Sequence, residues 1–195
     1  AFEVTEDNEN VNVAMLSRKV NSGEKVLDIG CGEGKLGAVL KNKSCHVIGI
    51  DLDETACNAA RNSGNYEDVY TINLERPDQF KEQYDAFLVK QYKFDTIALI
   101  DVLEHVIDPT AFLENSLSCL KNHGKVLISV PNVNNGDILL NLMRDRFNYR
   151  EAGVLDNTHT KYFTLHSFAD WIREINELKG YSLDCEYLGS TYGYT

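Results

Sequence analysis

The chain is short of positive charge. It carries 19 Lys+Arg against 30 Asp+Glu, a formal net charge of -11 over 195 residues. Such a field repels nucleic-acid phosphates and anionic membrane surfaces unless a local basic patch overrides it. Arg144, Arg146 and Arg150 come nearest to one, but Asp145 interrupts them and Glu151 follows. Paired cysteines are also missing. Cys31, Cys45, Cys57, Cys119 and Cys185 are scattered, odd in number and free of CxxC spacing, which argues against a disulfide framework or a structural zinc site. No apolar run approaches the length of a membrane span, and the acidic N-terminus is unlike a signal peptide. Internal repeats and low-complexity linkers are absent too. These absences leave a soluble cytoplasmic protein with no membrane or nucleic-acid partner as the expectation. At 43% hydrophobic and 25% charged residues, the chain suits one domain with a sizeable core. That domain is expected to run over residues 1–195, with the acidic residues 1–9 loose. The start at Ala1 and the end after Tyr192-Gly193-Tyr194 suggest a trimmed chain or a piece of something longer.

Apolar periodicity sets out the elements. A helix is expected within Val11–Val20, then strands at Val26–Ile29, His46–Leu52, Val69–Asn73, Phe94–Ile100, Lys125–Val130 and Tyr181–Leu188. Helices are expected between them: Lys35–Lys41, Glu54–Asn62, Pro77–Tyr92, Pro109–Leu120 stopped by Gly124, Ile138–Met143, and Leu165–Leu178 stopped by Gly180. Strands alternating with helices imply an α/β fold, a doubly wound, mostly parallel sheet with helices on both faces.

The chemistry concentrates where the first strand meets a glycine turn. Gly32-Glu33-Gly34-Lys35-Leu36-Gly37 fits the GxGxxG dinucleotide fingerprint. Read from Asp28, the same stretch is DxGxGxG, with an acid just ahead of Gly30, Gly32 and Gly34. Glycines let the backbone take positive φ and let a ligand approach closely, and the amides at the helix start are expected to be free for ligand groups. Asp28 discriminates between the two readings: a carboxylate there suits a cationic ligand and repels a pyrophosphate. Asp51, at the end of the second strand, is placed to accept hydrogen bonds from both ribose hydroxyls of a nucleoside cofactor.

The DxGxGxG form resembles motif I of the class I S-adenosylmethionine (SAM)-dependent methyltransferases. Three further stretches carry the same resemblance in order. Phe94 to Pro109 looks like the FDxIxxxDVLEHxxDP signature of many such enzymes. Gly124 to Asn132 resembles their GGxLxxSxPN strand, and His159 to Thr164 their HxxxFT segment. The resemblance implies a Rossmann-like fold with strand order 3-2-1-4-5 and SAM across the carboxyl ends of strands one to four. It also implies a cofactor site made of Asp28, Gly30, Cys31, Gly32, Gly34, Asp51, Leu52, Asn73, Leu74, Asp101 and Val102. Asn73 stands where the family often has an Asp that binds the adenine amino group. His105 and His159 are the candidate bases for taking a proton from the acceptor. The adenine-type (D/N)PP(Y/F) signature of DNA methylation is absent. With the acidic charge, that points to a small-molecule acceptor, and the resemblance implies an oxygen nucleophile on it.

Two alternatives accompany this reading. One is a SAM-binding regulatory or interaction module. The other starts from Asp101, Glu104, His105 and His159, a DxxEH…H set resembling the ExxEH…H metal quartet of small-RNA 2′-O-methyltransferases. Two carboxylates and two imidazoles suit Mg²⁺, Mn²⁺ or Co²⁺. The shorter first side chain and the lack of basic surface weigh against it, so the expectation from sequence is a metal-free site.

Overall fold

The computed structural model describes residues 12–76, 79, 82, 85–87 and 90–189. The expected loose segment at residues 1–9 therefore lies outside the described residues, as does much of the helix expected over 77–92. The elements in order are α1 (Asn12–Ser17), β1 (Lys25–Ile29), α2 (Lys35–Lys41), β2 (His46–Asp51), α3 (Glu54–Ser63), β3 (Asp68–Thr71) and β4 (Phe94–Ile100). A 3-10 turn (Leu103–His105), α4 (Pro109–Leu117), β5 (Leu120–Ser129), α5 (Gly136–Leu142) and α6 (Leu165–Lys179) follow. The five strands form one sheet in the order β3-β2-β1-β4-β5, and every pair is parallel. This is the order that the resemblance implied.

Burial on both faces explains the strands. Leu27 and Ile29 of β1 face the larger core with Ile48, Ile50, Ile97 and Leu99. Val26, one residue out of phase, joins Leu16, Leu36, Leu40 and Val47 on the opposite face. Alternate residues are thus apolar on both sides, the pattern of a parallel sheet covered twice. Phe87, within the expected 77–92 helix, is buried against Tyr70, Tyr92 and Phe94, so it packs on the sheet.

Local capping fixes the helices. Asp53 accepts the amides of Thr55 and Ala56 at the start of α3, and Gly64 ends it at φ 67. Asp108 caps α4 ahead of Pro109. Thr164 and Ser167 form a capping box on α6, which Gly180 closes at φ 70.

Two expected boundaries are corrected. The fourth helix stops at Leu117, and β5 begins already at Leu120, which pairs with Phe94 before a register shift brings Lys125 opposite Thr96. Gly124 is not a helix stop. A side chain there would come within 2.8 Å of Leu120 and 3.0 Å of the Asp95 carbonyl, so the glycine permits close passage of the chain. The sixth strand, expected over Tyr181–Leu188, does not form. In the middle of this stretch Asn176 of α6 takes both backbone groups of Leu183: its Nδ2 donates to the Leu183 carbonyl at 2.8 Å and its Oδ1 accepts the Leu183 amide at 2.9 Å, so that residue has nothing left for a ladder. Among the described residues, no helix is long and apolar enough to cross a membrane.

Candidate active site

The site is built at the carboxyl ends of β1, β2 and β4, where an open parallel sheet leaves a crevice. After β1 the chain turns through Gly30, Gly32 and Gly34 at φ 75, 51 and 94. At Gly30 an added Cβ would lie 2.5 Å from Val102 Cγ2. Glycine is needed there on two counts, backbone conformation and the Val102 side chain pressed against it.

Four amides of the loop ahead of the helix are spent within the protein. Those of Gly30 and Cys31 both donate to the Ile50 carbonyl, at 2.8 and 3.0 Å, and that of Gly34 to the Cys31 carbonyl at 2.9 Å. The Gly32 amide donates to Asp51 Oδ2 at 2.8 Å. These bonds knit the loop to β2 and hold its shape. The loop thus offers a ligand shaped backbone flanked by the Asp28 and Asp51 carboxylates.

Asp51 has its other oxygen, Oδ1, on the Asp53 amide at 2.9 Å. Each oxygen keeps a further lone pair, and the half-buried side chain is held rigid for a second set of donors. Beside it, Leu52 is 66% exposed, an apolar surface next to a ribose-type acceptor. Asn73 Oδ1 accepts the Glu75 amide at 2.9 Å, which fixes the plane of the side-chain amide. Leu74 packs in the main core. Cys31 is buried with Cys57, Ala60 and Val69 under the loop.

Asp28 is 3% exposed and receives the Tyr66 hydroxyl on Oδ2 at 2.7 Å. Burial pushes its carboxyl up to about 7; the Tyr66 hydrogen bond opposes this and the charge of Asp51 adds to it. Tyr66 also accepts the Gly37 amide at 3.0 Å. Its ring occupies the space that side chains at Gly34, Gly37 and Gly49 would need. Tyr66 thus organises the acid, the loop and the start of α2, and no motif marked it. The glycines at 34, 37 and 49 were its trace, because together they clear room for one large ring.

Beyond β4 the chain is strained. Asp101 sits at φ 55, a conformation a non-glycine residue holds only when its surroundings impose it. Asn12 donates to both its carboxylate oxygens at 3.0 Å, and Ser129 Oγ donates to Oδ1. The 3-10 turn that follows carries Glu104 and His105. The HxxxFT segment arrives here from far along the chain: the amides of Thr160 and Lys161 both donate to the Glu104 carbonyl, at 2.7 and 3.0 Å, and Thr160 Oγ1 donates to the Val106 carbonyl at 2.9 Å.

That docking brings His159 against His105, ring centroids 4.8 Å apart. Glu104, His105 and His159 each place a potential ligand atom within 4.8 Å of the others. Asp101 is outside this group, so the four-residue set considered from sequence is reduced to three. Glu104 is 1% exposed, and among the described residues neither of its carboxylate oxygens has a hydrogen-bond partner. Burial is the main cause that pushes it up to about 8; the charge of Asp101 adds to this, and its own backbone amide opposes it.

Hydrogen-bond partners assign the tautomers of both rings. Thr158 Oγ1 spends its one proton on Asp156 Oδ1 at 2.7 Å, so His105 Nδ1, 3.1 Å from that hydroxyl, is the donor. His159 Nδ1 faces the Val154 carbonyl at 3.0 Å and donates to it. In the neutral rings this leaves Nε2 of each as the lone pair. Next to them stands an aromatic wall: Tyr162 lies 6.4 Å from His159, with Phe147 6.1 Å and Tyr149 6.4 Å from Tyr162.

A family model described as a methyltransferase domain matches residues 10–176. The chain belongs to that family and is a class I SAM-dependent methyltransferase domain. Among curated proteins it is similar to the ubiquinone biosynthesis O-methyltransferase of Idiomarina loihiensis, 34% identical over 62% of this chain and 48% of that protein. The protein of the same name from Coxiella burnetii is 33% identical over 57% of this chain and 45% of that one. The chain thus spans about half the length of these relatives. Solved structures share its fold. The magnesium protoporphyrin IX methyltransferase of Synechocystis superposes with a TM-score of 0.60 at 22% identity, covering 89% of this chain and 71% of that one. A SAM-dependent methyltransferase from Archaeoglobus fulgidus gives 0.58 at 22% identity, covering 84% and 66%.

Proposed function

We propose that this chain methylates a hydroxyl oxygen of a small aromatic acceptor. The observation that carries the reading is the pair of imidazoles, each with Nδ1 tied back, beside the Phe147, Tyr149 and Tyr162 wall at the end of β4. Two O-methyltransferases among the relatives support it, as their names state a quinone pathway.

When bound, SAM supplies a methyl group on a cationic sulfur. Asp28, Gly30, Cys31, Gly32 and Gly34 shape the methionine end of its site, and Asp28 supplies negative charge toward the cation. Asp51 accepts the ribose hydroxyls. Leu52 covers one face of the adenine, Asn73 meets its edge, and Leu74 backs Asn73 from the core. Asp101 and Val102 close the site on the β4 side. His105 and His159 activate the acceptor hydroxyl, and the aromatic wall orients its ring. Holding the oxygen in line supplies much of the rate. The unpaired cysteines suit a reducing compartment, and we infer that the chain works in the cytoplasm.

Calorimetry with SAM and NADH tests the cofactor, and a panel of hydroxylated aromatic acceptors, read by a mass gain of one methyl, tests the reaction. SAM binding and an O-methylated product are expected. Saturable NADH binding without SAM binding, or product methylated only on nitrogen, would overturn the proposal.

A further inference from the structure

The turn that carries His105 is tied down on two sides. On one side, the amides of Thr160 and Lys161 hold the Glu104 carbonyl, and the Thr160 hydroxyl holds that of Val106. On the other stands Glu75, 32 positions before Ile107. Its Oε1 accepts the Ile107 amide and, at 3.4 Å, the Asp108 amide. The backbone of Glu75 belongs to the group that follows β3. Its own amide donates to Asn73 Oδ1 at 2.9 Å, and the Leu74 carbonyl beside it accepts Asn115 Nδ2 of α4 at 3.4 Å. We propose that Glu75 is a positioning residue for methyl transfer: it fastens the turn of His105 to the Asn73 end of the cofactor site.

The two amides do not need this side chain for their own satisfaction. Ile107 is 63% exposed, so water is at hand there. Both amides precede α4, and the Asp108 carboxylate is spent on the amides of Thr110 and Ala111. What a carboxylate from another element adds is position. A 3-10 turn is short and its internal bonds are poorly aligned. Here they run from the His105 amide to the Val102 carbonyl at 3.0 Å and from the Val106 amide to the Leu103 carbonyl at 3.3 Å. The orientation of such a turn comes from its attachments, and a charged acceptor makes a strong one.

The two ties do different things. The Thr160 side keeps His105 with His159, because the segment docked on the turn carries both His159 and Thr158, the partner of His105 Nδ1. Glu75 sets where that pair stands relative to Asn73, since its amide holds one and its carboxylate the other. A ligand that orders Asn73 orders Glu75 with it, and through the carboxylate the two amides. The catalytic consequence rests on the proposed function, in which Asn73 meets the adenine edge and the imidazoles meet the acceptor hydroxyl. Removing the carboxylate leaves Asn73 on a backbone amide, so SAM still binds. The turn then hangs from the 158–161 segment alone, and the two imidazoles shift together off the line of transfer. A misplacement of about 1 Å costs about 100-fold in rate.

The test compares Glu75→Gln, which keeps an Oε1 acceptor, with Glu75→Met, which keeps the length and loses it. Amide exchange is followed with and without S-adenosylhomocysteine, the demethylated product, beside SAM calorimetry and turnover on hydroxylated aromatic acceptors. In the wild type the product is expected to slow exchange at Gly32 and also at Ile107 and Asp108. In Glu75→Met the slowing at Gly32 stays, and that at Ile107 and Asp108 is lost. SAM affinity and the acceptor KM stay within about threefold in both variants, while kcat falls about 10- to 100-fold in Glu75→Met and recovers in Glu75→Gln. Exchange at Ile107 and Asp108 that ignores the product in the wild type, or slows equally in Glu75→Met, overturns the tie. A Glu75→Met protein with SAM affinity down more than about tenfold overturns the split between binding and transfer. Unchanged kcat in Glu75→Met overturns the positioning role and leaves the proposed function standing. The expected exchange pattern, with no methylated product on any acceptor, leaves the tie standing and sinks the proposed function.

Discussion

Replacing Asp28 by Asn isolates the electrostatic cost of the first motif. Burial raises the Asp28 carboxyl from 3.8 to about 7, so between those pH values the folded chain keeps a proton that the unfolded chain has lost. A raised folded value means that stability from this group is full below about pH 4 and falls as pH rises through about 7. Converting the difference gives about 4 kcal/mol at most, of which about 3 kcal/mol falls between pH 5 and 8. The Asp28→Asn variant keeps the Tyr66 contact and has no proton to lose. Urea unfolding at several pH values should show the variant gaining on the wild type by about 3 kcal/mol from pH 5 to pH 8. A wild-type-minus-variant difference that is flat with pH would refute the reasoning. The same ionisation couples to the cofactor: a cation beside Asp28 favours its charged form, so SAM binding at pH 7 should release protons. Calorimetry in buffers of different ionisation enthalpy detects this, and the release should vanish in the variant.

Other expected outcomes follow from the loop. Gly30→Ala places a Cβ 2.5 Å from Val102 Cγ2 at a residue with φ 75; a loss of about 2–4 kcal/mol is expected, and a urea-midpoint change worth under about 1 kcal/mol would contradict the packing described. Asp51→Asn removes one of two charged acceptors and orphans the Gly32 or Asp53 amide. SAM should bind about 10- to 100-fold more weakly, and unchanged calorimetric affinity would remove Asp51 from the cofactor site.

What could be read in advance, and what could not, follows from the range of each interaction. Phe94–Ile100 was legible to the residue, because a run buried on both faces needs only its own apolar side chains. The last helix was legible from Leu165 to its stop at Gly180, since the bond that closes it spans four residues. Failures came where distant groups decide. Tyr181–Leu188 has strand-like composition, but the amide and carbonyl of Leu183 at its middle are held by Asn176. The motif acids were visible at 28, 51 and 101, yet their surroundings come from Tyr66, Asp53 and Asn12. The meeting of His159 with Glu104 and His105 depends on Thr160 reaching across 56 positions to the Glu104 carbonyl, which no local pattern records.

Tyr66→Phe separates the hydroxyl from the ring that fills the space over Gly34, Gly37 and Gly49. The ring stays, so the packing against those glycines stays. Only the hydroxyl goes, and with it the donor to Asp28 and the acceptor for the Gly37 amide. Its hydrogen bond is what holds the Asp28 carboxyl down against burial, so in the variant that carboxyl rises above about 7. By the same sign argument, the variant loses more as pH rises. Near pH 5, where Asp28 is protonated in the folded chain, the variant loses a neutral hydrogen bond to Asp28 and the acceptor for the Gly37 amide, about 1–2 kcal/mol together. Near pH 8 the bond lost is the stronger one to a charged Asp28, and the cost grows to about 2–3 kcal/mol. A double-mutant cycle with Asp28→Asn makes the coupling measurable: the two substitutions should interact at pH 8 and come close to additive at pH 5. Equal cost for Tyr66→Phe at both pH values, or additivity at pH 8, would show that the tyrosine supports the loop by shape alone and that Asp28 draws its character from burial without it.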